Sequence, residues 1–171
     1  MNSIEVVLVD DKDNVLGTME KLAAHRLGVL HRAFSVFIFN SMGEMLIQQR
    51  ADQKYHNGGL WTNACCSHPF PGETVERAAE RRLFEEMGFT TKLEKAFEFT
   101  YKASFDNGLT EFEFDHVFTG VYDGPVYPDQ SEVKAYSFRT MTDIRKQITS
   151  SPTDFTVWFR LAFPKVEVQS D

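Results

Sequence analysis

Hydrophobic and polar positions along the chain fall into blocks of two different periods. "IEVVLVD" (4–10) and "NVLGTMEK" (14–21) read as a strand, a turn and a strand. "AFSVFIFN" (33–40) and "EMLIQQR" (44–50) flank a turn at 41–43 and predict a β-hairpin. "LWTNACC" (60–66) is a further apolar segment. The period then changes. In "PGETVERAAERRLFEEMGF" (71–89), Val75, Ala79 and Leu83 form an apolar stripe flanked by Ala78 and Met87. Pro71 and Gly72 precede this helix, Thr74 is its candidate N-cap and Gly88 its candidate stop. Two long strands follow, "KAFEFTYKASF" (95–105) and "LTEFEFDHVFTGVY" (109–122), joined by the hairpin signal "DNG". "EVKAYSFR" (132–139) is another strand and "MTDIRKQITS" (141–150) a helix. Pro152 breaks that helix, "DFTVWFRLAF" resumes helical character, and the tail "PKVEVQSD" is expected to fray. No repeat or linker divides the chain, so residues 1–171 are expected to form a single mixed α/β domain.

Composition narrows the function classes. A chain of 171 residues with 42% hydrophobic content can build one sizeable core. Its 16 phenylalanines lie largely in the strand segments, where they supply core. The net charge of −7 gives no bulk attraction to nucleic acid or anionic lipid, although a local basic pocket remains compatible with it. No run of 18 apolar residues marks a membrane span. The N-terminal stretch lacks the basic start and cleavage site of a signal peptide, so a reducing, cytoplasmic location is expected. There a structural disulfide is not expected. A bridge between the adjacent Cys65 and Cys66 would also close a strained ring. In an extended segment the two point to opposite faces, one to the core and one to a site, and His68 shares the face of Cys66.

Other candidate chemistry sits on the helix and the long strands. Arg82 and Glu86 are four apart, as are Arg81 and Glu85, and either pair reads as a solvated face with weak ion pairs. The five histidines are His25, His31, His56, His68 and His116. In "TEFEFDH", Glu111 and Glu113 share one strand face opposite Phe112 and Phe114. That acidic face either meets water or joins imidazoles around a divalent ion.

"GETVERAAERRLFEEMGF" resembles the Nudix signature, a loop-helix-loop whose glutamates bind a divalent metal facing a diphosphate. Residues Arg81 to Phe89 align with its tail, and Glu73 fits its earlier glutamate. Two positions depart: Arg82 stands where a hydrolase has Glu, and Ser67 stands where the signature has Gly. Replacing a metal ligand with a cation suits phosphate binding without hydrolysis. "KLAAHRLGVLHRAFS", "LWTNACCSHP", this degenerate helix, "TEFEFDHVF" and the late Trp158 occur in the order found in the type I isopentenyl-diphosphate Δ-isomerase family, and the resemblance covers nearly the whole chain.

The resemblance implies a Nudix-type α/β fold, with a mixed β-sheet sandwiched between α-helices. It implies proton-transfer roles for Cys66 and Glu113, a hydrogen-bonding role for Tyr101 and an aromatic lid at Trp158. His25, His31, His68, Glu111 and Glu113 match a metal site for Mn2+ or Zn2+, and Glu86 matches the ligand of a Mg2+ that arrives with the diphosphate. Lys21, Arg50, Lys54 and Arg82 match the basic groups around the phosphates. The expected partner is a small-molecule diphosphate, with no nucleic acid or membrane, and the enzyme is expected to be a monomer or homodimer. Two competitors share the scaffold: a Nudix hydrolase and a non-catalytic diphosphate- or RNA-binding domain.

Overall fold

The structure, a computed structural model, describes residues 3–54 and 57–170, so His56 lies outside the described residues. The strands are β1 (Glu5–Val9), β2 (Val15–Glu20), β3 (His31–Phe39), β4 (Met45–Arg50), β5 (Trp61–Thr62), β6 (Cys65–Ser67), β7 (Glu94–Ser104), β8 (Thr110–Val121) and β9 (Val133–Arg139). The helices are α1 (Lys21–Leu27), α2 (Val75–Met87), α3 (Met141–Ser150) and α4 (Val157–Ser170). The sheet is mixed. Strand β3 runs parallel to β8 from His31↔Glu113 to Phe39↔Val121, and antiparallel to β1, β4 and β6. Strand β7 closes on β8 through the predicted hairpin, and β9 pairs with β4.

Period-2 alternation sorts the sheet residues into two cores. Phe34, Val36 and Ile38 of β3, Leu46 of β4 and Phe118 of β8 pack on Ala78, Ala79, Leu83 and Met87 of α2. Their neighbours Phe37, Met45, Ile47 and Val117 face the other way, against Ile144 of α3 and Trp158, Phe159, Phe163 and Val166 of α4. The expected sandwich of a mixed sheet between helices is therefore present. Helix α2 begins and ends where predicted. Thr74 Oγ1 accepts from Arg77 N at 3.3 Å, and Gly88 stops the helix at φ +74°. A side chain at Gly88 would also meet the Tyr127 carbonyl, because a Cβ there lies 2.3 Å from that oxygen.

Three elements differ from expectation. Helix α1 was not foreseen. Glu20 caps it by accepting from Leu22 N and Ala23 N at 3.0 and 2.8 Å, and Gly28 ends it at φ +66°. The segment 60–66 forms two short strands instead of one, because Asn63 spends its amide on backbone carbonyls of Val36 and Cys65 at 3.0 and 2.9 Å. The tail does not fray before Ser170: α4 runs through Pro164. Burial of Val166 in the α4-side core holds the helix past the proline, and Arg145 Nε donates to Glu167 Oε2 at 2.9 Å.

Candidate active site

One cavity gathers most of the predicted residues. Cys66, Glu113, Tyr101 and Trp158 line it, as do His25, His68 and Glu111. Lys21, Arg50, Lys54, Arg82 and Glu86 line the same cavity. The fold explains the convergence. Strand β8 presents Glu111 and Glu113 on the α4 side of the sheet, and β7 sets Tyr101 directly opposite Glu113. Strand β6 sets Cys66 opposite Ser35. Helix α1 puts Lys21 and His25 four apart on one face. Residue alternation in β6 separates the cysteines: Cys65 is fully buried in the α2-side core, while Cys66 packs on the opposite side and reaches the cavity.

His25, His31, His68 and Glu113 each offer one donor atom, and the four atoms lie within 4.8 Å of one another. His68 Nε2 is 3.2 Å and His31 Nε2 3.8 Å from Glu113 Oε1. Glu111 stands beside this set, joined through the Tyr101 hydroxyl, which reaches Glu111 Oε2 at 3.0 Å and Glu113 Oε2 at 3.1 Å. The His31 ring supplies the fit test for a metal. Its Nδ1 lies 2.8 Å from the Val29 carbonyl, where it must donate, so the buried Nε2 without a hydrogen-bond partner is left with its lone pair toward the cluster. Ligating histidines are held in this way. Three nitrogens and a carboxylate oxygen suit a divalent transition ion. Nearby cavity residues respond to the same field. Burial opposes ionisation of Glu113, but the neighbouring His68 and His31 imidazoles outweigh it and hold the carboxyl well below its usual range. Burial opposes charge on His31 too, yet Glu113 wins and raises it. Burial, helped by repulsion from His68, lowers His25 to about 3.

Cys66 lines the same cavity. Its thiol donates to Asn63 Oδ1 at 3.1 Å and contacts Ser35 Oγ at 3.4 Å. Ser35 in turn donates to Asp115 Oδ2 at 2.7 Å. Burial, followed by the nearby Asp115, pushes the Cys66 thiol upward. Thus a thiol, Cys66, and a carboxylate, Glu113, line one cavity. Trp158 is buried in the α4-side core, and the Arg50 guanidinium stands 5.3 Å from the centroid of its ring. A polar chain ties the start of α4 to Asn63, the acceptor of the Cys66 thiol: Thr156 donates to Thr62 at 3.0 Å, and Thr62 donates to Asn63 Oδ1 at 2.9 Å.

At the basic end, Glu86 is buried and raised to about 7 by that burial, against the pull of Arg82. Arg82 Nη2 is 3.6 Å from Glu86 Oε1, so the helical i,i+4 pair faces the cavity and not bulk water. The earlier signature residue Glu73 serves structure instead. It pairs with Arg81 at 2.8 and 2.9 Å and accepts from Phe70 N, away from the cavity. Ser35, Asn63, Asp115 and Glu132 were missed in the sequence. Asp115 had a readable signal, since it continues the period-2 acidic face of Glu111 and Glu113. Ser35 and Glu132 had none, because their partners come from distant parts of the chain, and Asn63, though only three residues from Cys66, lies in an apolar segment with no pattern to mark it.

The NUDIX domain family matches residues 29–159 of this chain. The isopentenyl-diphosphate Delta-isomerase of Pectobacterium atrosepticum is 49% identical over 162 residues, spanning 95% of this chain and 90% of that protein. The Serratia proteamaculans protein of the same name is 47% identical over 154 residues, spanning 90% and 86%. Among solved structures, a Deinococcus radiodurans protein superposes with a TM-score of 0.73 at 20% identity, covering 86% of this chain and 90% of that one. A MutT protein from Methanosarcina mazei gives 0.68 at 19%, covering 83% and 96%. These two share the fold, whereas the sequence relatives share the fold and nearly the whole chain. By descent and by architecture, the chain belongs to the isopentenyl-diphosphate Delta-isomerase family of Nudix-domain proteins.

Proposed function

We propose that this chain interconverts isopentenyl diphosphate and dimethylallyl diphosphate by a 1,3-allylic proton transfer through a carbocation-like intermediate, feeding isoprenoid biosynthesis. A proton adds to the terminal alkene carbon and leaves a tertiary cation. A different proton then leaves the methylene between the cationic carbon and the diphosphate-bearing carbon, and its C–H electrons form the new double bond. The observation that carries the reading is a single cavity lined by Cys66, Glu113 and Trp158 together with Lys21, Arg50, Lys54 and Arg82. A buried thiol and an ionised carboxylate provide one group with a proton to give and one able to take it. Tyr101 steadies Glu113 through its hydroxyl. Trp158 offers a π face to the cation and keeps out water, which would otherwise trap the cation as an alcohol.

His25, His31, His68 and Glu113, with Glu111 beside them, would hold a divalent ion, Mn2+ or Zn2+, whose charge would keep the Glu113 carboxyl oriented and ionised. Glu86 would hold a Mg2+ that accompanies the diphosphate. On this reading the enzyme works on a free small molecule in a reducing cytoplasm, as a monomer or homodimer. No helix among the described residues is long and apolar enough to cross a membrane.

The test separates three outcomes. The protein is incubated with isopentenyl diphosphate and, separately, with a nucleoside diphosphate derivative, and phosphorus NMR and phosphate release are followed. Allylic isomer without phosphate release is expected. Phosphate release from the nucleotide would make the chain a hydrolase, and binding with no turnover would make it a non-catalytic domain. Arg82 at the position of a signature glutamate argues against hydrolysis.

A further inference from the structure

Arg82 and Lys54, two of the cations at the basic end, share one carboxylate. Arg82 Nη2 lies 3.0 Å from Glu132 Oε1, and the other oxygen of the same carboxylate accepts from Lys54 Nζ. Glu132 is half-buried and sits just before β9, far in sequence from both partners. Its backbone is pinned there. Glu132 N donates to the Asp129 carbonyl at 2.9 Å, and its own carbonyl accepts from Ala51 N at 3.0 Å. Asp129 N donates to the Glu86 carbonyl at 2.9 Å, so Glu132 and Glu86 share one rigid corner. Glu86 faces the cavity with a buried Oε2 that has no hydrogen-bond partner.

The charge balance of this corner bears on what can bind. A diphosphate entering between Lys54 and Arg82 competes with the Glu132 carboxylate for both. It also meets the negative charge of Glu86 when that group is ionised. A diphosphate complexed with a divalent cation brings positive charge of its own, which answers both carboxylates. We propose that Glu132 is a specificity-determining residue: it makes the phosphate end of the cavity reject a metal-free diphosphate and accept one complexed with a divalent cation. The inference rests on the reading of Lys54 and Arg82 as diphosphate contacts.

Substituting Glu132→Gln isolates the charge. Glutamine keeps the shape and one oxygen acceptor for Arg82 or Lys54, so the two cations stay near their places while the competing charge disappears. Glu132→Asp keeps the charge and shortens the reach. Calorimetric binding of inorganic pyrophosphate, with Mg2+ and with chelator, reads the effect without any turnover. The wild-type protein should bind far more tightly with Mg2+ than without it. In Glu132→Gln, metal-free binding should tighten by about tenfold, as expected for removing one repulsive charge a few ångströms away at a partly buried site, and the Mg2+ preference should shrink accordingly. Glu132→Asp should keep the wild-type preference. A Glu132→Gln protein with an unchanged Mg2+ preference, or one weakened equally with and without Mg2+, overturns the inference and makes Glu132 a structural pin. Failure of the wild-type protein to bind pyrophosphate even with Mg2+ overturns the reading of the basic pocket, and the inference with it.

Discussion

The two adjacent cysteines do different work because a strand sends neighbours to opposite sides. Cys66→Ala should nearly abolish isomerisation with the fold intact, since that side chain fills a cavity wall. Cys65→Ala should leave turnover largely unchanged and cost about 1 kcal/mol of stability, from a small void in the α2-side core. Turnover and denaturant unfolding of both variants check this pair. Equal loss of turnover from both would defeat the assignment. Trp158 gives a second series. Trp158→Phe should slow turnover while keeping substantial activity, and Trp158→Leu should be far slower, because leucine has no π face to set against a cation. Melting temperatures should instead track side-chain size, since the residue is also core. Phe and Leu variants with matching rates per folded molecule would remove Trp158 from the chemistry. At this scale the sequence carried a great deal. Strand alternation alone separated Cys65 from Cys66 and put His68 with the latter. It could not reveal Ser35 or Asn63 beside the thiol, because serine and asparagine in apolar segments look the same whether they touch a catalytic group or only a backbone.

Among the elements, α2 was the most legible, because propensity, period, Thr74 and Gly88 all agree on its limits. Helix α1 was the least, with seven residues and too few turns to show a period. Its caps, Glu20 and Gly28, were the available signal, and a glutamate is not a common N-cap residue. The α4 tail was misjudged for a related reason. Pro164 is a local breaker, and only the tertiary burial of Val166 shows why the helix continues. The Nudix-like helix carries its own prediction. Arg82→Glu would place a fourth carboxylate beside Glu85, Glu86 and Glu132. Affinity for Mg2+-pyrophosphate should fall by roughly tenfold or more from the charge reversal, and melting temperature should fall with it. No hydrolase activity should appear, because Ser67 and the remaining pocket are unchanged. Efficient phosphate release by this variant would show that one residue separates the two chemistries.

For the molecule as a whole, the cavity draws its side chains from α1, α2, α4 and from β3, β4, β6, β7 and β8, so metal, stability and pH are coupled. Adding Mn2+ or Zn2+ to chelator-treated protein should raise its melting temperature, and His25→Ala should erase the rise, since ions bound only by the folded state stabilise it. In the chelated protein the buried His25 should also cost stability as pH falls. His25 is held near 3 by burial, below its ordinary 6.5, so the unfolded chain takes up a proton that the folded chain refuses. Its contribution is complete above about pH 6.5 and is lost progressively as pH falls toward about 3. His68 and His116 are lowered as well and add to this, while the raised His31 and the raised carboxyls of Glu86 and Asp115 oppose it. The sign is read by comparing chelated wild-type and His25→Ala proteins: the stability difference should shift against the wild type as pH falls from about 7 to about 5, and a constant difference would contradict it. The convergence itself was legible only through family resemblance, since His25, His68 and Glu113 are too far apart in sequence for spacing to connect them. The central claim, that two separate groups give and take the proton, is tested most directly by converting isopentenyl diphosphate in deuterated water and locating deuterium in the product by NMR. Dimethylallyl diphosphate bearing solvent deuterium on a methyl group, with the diphosphate intact, is the predicted result. Dimethylallyl diphosphate formed without solvent deuterium would contradict it.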